Sequence, residues 1–310
     1  MVYIAITFLN NLVLLFKTLT ARCDKVLLAA YSEYAAPFWF FIPYFLKMMG
    51  VRIGSVVHDP VRDIQIGYRW FHQLSVFLGY SFVKEAFVHE EGNLNTIFKI
   101  KGLNVTVIPV GPFRFPLSDQ TRSELRIKYN VPVSAPLFLA FGHLRDSKNL
   151  DLIINAMKSV PEMFLLVAGE ENSENHKPGK WYQELAEKND VANRCRWNLR
   201  YIDHNEVADL FLVSDFILLV YRSTFRSASA VFHAGCFYNK LCVASSGESN
   251  LKTMVSRYRT GIWVEPDSTD AIIQGLKQII FHPPVPEWDT YKRDNNWETN
   301  ADLVMKRMQL

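Results

Sequence analysis

Two α/β domains, each built on a parallel sheet, are what this sequence predicts, and three observations predict them. Short apolar runs of strand length alternate with helical stretches along most of the chain. Those runs are almost continuously apolar, the pattern of strands covered on both faces of a parallel sheet. A proline-rich stretch, Pro109 to Asp119 (PVGPFRFPLSD), divides them into two series. With 310 residues and 49% hydrophobic content, each half can bury a core of its own.

The amino-terminal MVYIAITFLNNLVLLF is apolar, lacks a basic start and is interrupted by Asn10 and Asn11, so neither a cleaved signal nor a membrane span is expected. The aromatic run Pro37 to Leu46 (PFWFFIPYFL) is too short to cross a bilayer, and Pro43 is expected to kink a helix there. It reads either as core packing or as a shallow membrane-surface anchor helped by Lys47 and Arg52. Strands of the first series are expected at Lys25–Ala30, Val51–Val57, Ala86–His89 and Val105–Val110. Those of the second fall at Leu137–Phe141, Phe164–Ala168, Phe216–Tyr221, Leu241–Ala244 and Gly261–Val264. Pro283, Pro284 and Pro286 end one helix before a last helix near Asn300–Met308. The expected domains are therefore 1–115 and 116–285, with a helical segment 286–310 packing back on the first.

Composition removes several function classes. A net charge of +3 with no basic block gives no nucleic-acid groove. Four cysteines without a CxxC pair read as reduced thiols of a cytoplasmic protein, and scattered histidines argue against a structural metal. No GxGxxG occurs, so a nicotinamide or flavin dinucleotide has no support.

Chemistry concentrates in Phe138 to Leu152 (FLAFGHLRDSKNLDL). A strand runs into Gly142, a polar loop presents Arg145 and Lys148, and a helix comes next whose Leu150, Ile153, Ile154 and Met157 recur at helical spacing. Two cations between a strand's carboxyl end and a helix's amino end suit a phosphate, the alternative being two solvated surface residues. After the strand FILLVY, Tyr221 and Arg222 lead into Ser223, Thr224, Ser227 and Ser229 before a small-residue helix, a second anion-suited terminus. Asp267 and Ser268 precede a further helix as cap residues do.

The ordered segments FGHLRDSKNL, SDFILLVYR, NKLCVAS and TGIWVEPDS resemble the carboxyl-terminal half of retaining GT-B glycosyltransferases of the family-4 type. Weaker likeness reaches back to SVVHDP, VHEEGN and TVIPVG. The resemblance implies a GT-B fold: two Rossmann-like domains facing a cleft, acceptor-side first and nucleotide-sugar-binding second. It implies a retaining, metal-independent hexosyltransferase without a resident cofactor, using a nucleotide-sugar donor and a glycan or lipid-linked saccharide acceptor. Arg145 and Lys148 would hold the donor diphosphate, and His58 would face the reacting sugar. Gly142, His143, Ile202, Tyr221, Arg222 and Ser227 or Ser229 would line the donor. Such a protein is expected in the cytoplasm, with the inner face of the membrane as a surface it could bind.

Departures accompany the matches. Arg226 and Ala234 stand where the family often carries two glutamates, and Asn239 and Leu241 replace the glycine and proline of GxPVV. His143 stands where many members have Arg, and Asn149 comes after Lys148 in place of Gly. The first glycine is Gly50, so the family's opening strand and glycine-rich loop have no counterpart, which implies a shortened first domain. A truncated reading frame, a natural short form and a site completed by a partner subunit are alternatives. So is a catalytically silent subunit that binds a partner or a sugar nucleotide.

Overall fold

A computed structural model of the chain describes residues 2–29, 33–58, 67–89, 100–171 and 176–309. The chain forms two units, Met1–Val110 with Trp297–Leu310, and Gly111–Asn296. The first boundary falls at the start of the proline-rich connection, before the expected 115. The second falls at 296, well after the expected 285, because the helix Trp288–Asp294 buries Tyr291 against Phe232 and Tyr258 of the second unit.

In the first unit, α1 (Val2–Thr20), α2 (Phe41–Met48) and α3 (Arg69–Ser81) accompany four parallel strands. These are β1 (Lys25–Leu28), β2 (Arg52–Val57), β3 (Glu85–Val88) and β4 (Asn104–Val107), lying side by side in chain order. The aromatic run divides by face. Trp39, Ile42 and Leu46 enter the core, while Phe38, Phe41, Phe45 and Met48 stay exposed. Pro43 does not kink α2. It lies in the first turn, where its missing N–H has no intrahelical carbonyl to reach. No helix of the described residues is long and apolar enough to cross a membrane.

The second unit carries six parallel strands. They are β5 (Leu137–Phe141), β6 (Phe164–Ala168), β7 (Cys195–Asn198), β8 (Phe216–Val220), β9 (Leu241–Ser245) and β10 (Gly261–Trp263). Their spatial order is β10-β9-β8-β5-β6-β7. The helices are α4 (Arg122–Lys128), α5 (Leu150–Ala156), α6 (Gly179–Lys188), α7 (His204–Val213), α8 (Ala230–Phe237), α9 (Leu251–Arg257), α10 (Thr269–Phe281) and α11 (Trp288–Asp294).

Strand side chains alternate between two cores. Leu137, Leu139, Ile217 and Leu219 meet α4, α7, α8 and α9 on one face; Phe138, Leu218 and Val220 meet α5, α6 and α10 on the other. Local signals set the helix starts. Thr121 and Glu124 form a reciprocal capping box on α4, and Ser268 caps α10. The last helix, α12 (Trp297–Met308), belongs to the first unit. Val304 and Met308 pack on Phe87 and Ile108, and Arg52 Nη2 donates to the Arg307 carbonyl at 2.9 Å.

Candidate functional site

In the second unit's sheet the chain leaves β5 toward β6 and β7 on one side, then crosses to β8, β9 and β10 on the other. The helices after β5 and β8 consequently cover opposite faces, α5 in one core and α8 in the other. Between the carboxyl ends of such neighbouring strands a crevice opens, which is where ligands bind in open α/β sheets. The two loops at this switch point are Gly142–Asn149 and Tyr221–Ser229, the segments singled out from the sequence.

Glycine makes the first loop possible. Gly142 has φ +87° and donates its N–H to the Ala168 carbonyl at 2.9 Å. Gly169, at φ +147°, lies so close that a Cβ there would sit 2.4 Å from the Gly142 oxygen. His143 and Arg145 are exposed on the loop. Residues Asp146–Lys148 form a short 3₁₀ turn, and Asn149 in a left-handed conformation (φ 50°) leads into α5.

Lys148 is less accessible than the sequence reading expects. Its Nζ turns back and donates to the Phe141 carbonyl at 2.5 Å, beneath Gly142. Burial, and then the positive charge of Arg145, push its ammonium down to about 7. The two cations thus share one field and repel each other, the condition that a bound anion relieves.

Carboxylates stitch the loops together. Asp146 Oδ1 accepts from the Lys177 N–H (3.1 Å) and the Tyr182 hydroxyl (3.0 Å). Arg222 Nε donates to the Asp146 carbonyl at 2.8 Å, and its Nη2 lies 3.3 Å from Asp151 Oδ2. Asp267 is not the cap of α10. Its Oδ1 accepts from Asn149 Nδ2 (3.1 Å) and its Oδ2 from the N–H (3.0 Å) and Oγ (2.6 Å) of Ser223. Burial works against that carboxylate's charge, but the Ser223 and Asn149 hydrogen bonds prevail and hold its pKa below the usual range. Arg222 is therefore a clamp between the two loops.

Tyr221 and Ser229 are also engaged. The Tyr221 hydroxyl is 2.9 Å from Ser229 Oγ, its ring stacks on Phe225 at 4.0 Å, and Ser229 Oγ caps α8 through the Phe232 N–H. Ser227 is half-buried and has no side-chain hydrogen bond among the described residues. Ile202 is buried in the core with Val207 and Phe211. His58 belongs to the first unit, exposed at the carboxyl end of β2. Asp59, and residues 90–93 of VHEEGN, lie outside the described residues.

Sequence reasoning missed Asp146, Asn149, Asp151, Gly169 and Asp267 as organisers of the site. The available signal was in RDSKNLD itself, where one acid, Asp146, sits among the loop's cations and a second, Asp151, comes in the first turn of α5. Among the described residues no group of three or more metal-ligating side chains occurs.

The model of the family "Glycosyl transferases group 1" matches residues 121–302. No curated protein matches the chain. Among solved structures, Anabaena Alr3699/HepE in complex with UDP and glucose is similar at 15% identity and TM-score 0.70, over 92% of this chain and 78% of that one. Sucrose-phosphate synthase (tll1590) from Thermosynechococcus elongatus shares 16% identity at TM-score 0.64, covering 88% of this chain and 71% of its own. WaaG, a glycosyltransferase involved in lipopolysaccharide biosynthesis, shares 13% at 0.58, with 90% and 84% covered. At such identities the likeness shows the fold alone, and that fold is the expected GT-B.

Proposed function

From the premise that the chain belongs to the group 1 glycosyl transferases, we propose that it moves a hexose from a nucleotide-sugar donor to a glycan or lipid-linked saccharide, with retention and without a metal. The observation that carries this reading is the loop at the β5/β8 switch point. It sets Arg145 and Lys148 together where an open sheet binds its ligand. Cleaving a sugar–phosphate bond builds negative charge on the leaving diphosphate. A guanidinium reaching two oxygens and an ammonium acting as a point charge offset it, by roughly 3 kcal/mol for each well-placed donor. Arg222, locked by Asp146 and Asp151, holds the loops in register during that step. The UDP complex of the Anabaena protein supports a uridine diphosphate donor, and the lipopolysaccharide role of WaaG supports a glycan or lipid-linked acceptor. His58, on the acceptor-side unit, would contact the sugar.

The exposed Phe41, Phe45 and Met48 of α2 beside Lys47, in a stretch without acids from 34 to 58, support work at the inner face of a membrane. Arg226 and Ala234, standing where carboxylates are common, favour one second reading, a donor-binding subunit without turnover; Ala234 is buried in the core. A partner chain would then accompany it.

Thermal scanning against UDP-, GDP- and dTDP-sugars tests the donor site, because a ligand held only by the native state raises the melting temperature. UDP-glucose should stabilise the protein, and Arg145→Ala should remove that stabilisation without lowering the ligand-free transition. Transfer of radiolabelled sugar in the presence of EDTA then separates enzyme from silent subunit. No stabilisation by any of the three donor classes would end the proposal.

A further inference from the structure

The four strands of the first unit end side by side, and their register aligns the residues just beyond them. Val57 pairs with Val88 and Val88 with Val107, so the next residues, His58, His89 and Ile108, form a row along the sheet's carboxyl edge. His58 Nε2 lies 3.2 Å from the Ala29 carbonyl, and His89 Nδ1 lies 3.4 Å from the Ile108 carbonyl. The two rings stand 5.6 Å apart at 36°. A chain of contacts thus crosses the whole edge, from Ala29 after β1 to Ile108 after β4.

A carbonyl oxygen only accepts, so each contacting ring nitrogen must carry the proton. His58 is thereby set as the Nε2–H tautomer and His89 as the Nδ1–H tautomer. The other nitrogens, Nδ1 of His58 and Nε2 of His89, keep their lone pairs and have no hydrogen-bond partner among the described residues. Burial lowers the His89 pKa; the Ile108 hydrogen bond opposes that and the nearness of His58 adds to it. An anion would require a protonated His89 held against that tendency. Hydroxyl donors require only two oriented lone pairs, which are already present.

We propose that His58 and His89 form a two-point hydroxyl-binding site for a sugar, in which His89 is a binding residue of equal standing with His58. That this sugar is a substrate of transfer rests on the function proposed above; the hydroxyl chemistry does not.

The full-length protein labelled with ¹⁵N-histidine, observed through long-range proton–nitrogen correlations, tests it directly. The spectra should show one Nε2–H and one Nδ1–H tautomer for this pair. Titration with methyl α-glucoside, α-galactoside and α-mannoside should shift the unprotonated nitrogen of both residues for at least one glycoside. His89→Leu should weaken that glycoside about ten-fold, the loss of one hydrogen bond, whereas His89→Gln, which keeps an acceptor, should stay within about three-fold of the parent. Reversed tautomers overturn the proposal, as do nitrogens unmoved by all three glycosides or moved instead by inorganic phosphate. The titration of the unsubstituted protein decides without any variant. Glycoside shifts that persist in a protein which UDP-glucose fails to stabilise would sink the donor reading and leave this site standing.

Discussion

Raising the pH from about 6 to about 8.5 should weaken UDP-glucose binding by about thirty-fold, because the site must take up a proton that it does not hold when empty. The perturbation acts on Lys148, whose ammonium, buried and facing Arg145, is pushed down to about 7. A diphosphate beside it supplies the missing counter-charge and returns its pKa toward the ordinary lysine range, so the bound state stays protonated across the window. The empty site is mostly protonated near pH 6 and only about 3% protonated near pH 8.5, which costs binding about 2 kcal/mol. UDP-glucose is the right probe, since both of its phosphates are diester-like and neither titrates in this range. Calorimetry in two buffers of different ionisation enthalpy should find proton uptake approaching about one per ligand above pH 8, and almost none near pH 6. Lys148→Met, which keeps the packing and loses the charge, should bind more weakly and with a flat pH profile. Full-strength binding at pH 8.5 with no proton uptake would refute the assignment of Lys148 to the diphosphate.

The same depression acts on stability. Lys148 (about 7) and Lys240 (lowered by burial to about 8) bind fewer protons folded than unfolded, so denaturant midpoints should rise between about pH 7 and 8.5, and less steeply in Lys148→Met. At higher pH the Cys195, Cys236 and Cys242 thiols, raised by burial, keep protons that the unfolded chain loses and reverse the slope. Arg126→Met should cost about 2–3 kcal/mol in urea unfolding, since it takes the buried guanidinium, only 1% exposed, from the carbonyls of Val213 and Ala135 and removes one of the partners of Asp215, which keeps Arg122 and the Leu137 N–H. Gly169→Ala drives a methyl into the Gly142 carbonyl and should cost more than about 1 kcal/mol of stability along with donor binding, read by thermal shift with and without UDP-glucose. Flotation with anionic liposomes should be lost in Phe41→Ser/Phe45→Ser and unchanged in Ile127→Ser, which is more exposed still, on α4; equal flotation of both would dismiss the membrane surface.

Fold class was legible because parallel strands buried on both faces must be apolar along their length. Runs such as Phe164–Ala168 and Phe216–Val220 satisfy that condition residue by residue. β7 escaped for the complementary reason: CRWN is a short edge strand, half-buried and polar, and only its pairing with β6 makes it a strand. Which loops would meet was also readable in outline, as Gly142 and the serines after Tyr221 announce turns and caps through local backbone chemistry.

What those loops do with their side chains was decided by tertiary structure. A sequence displays Lys148 as a cation, but only the packed loop turns its ammonium onto Phe141 and lowers its proton affinity. Asp267 reads locally as a helix cap, yet it is claimed by Ser223 and Asn149, which approach from other segments. His58 and His89 are far apart in the chain and become neighbours through strand register alone. Periodicity and capping are properties of short windows, so residue order determines them. Burial, charge repulsion and hydrogen-bond partnership depend on which distant segments arrive, and that is settled only when the sheets assemble.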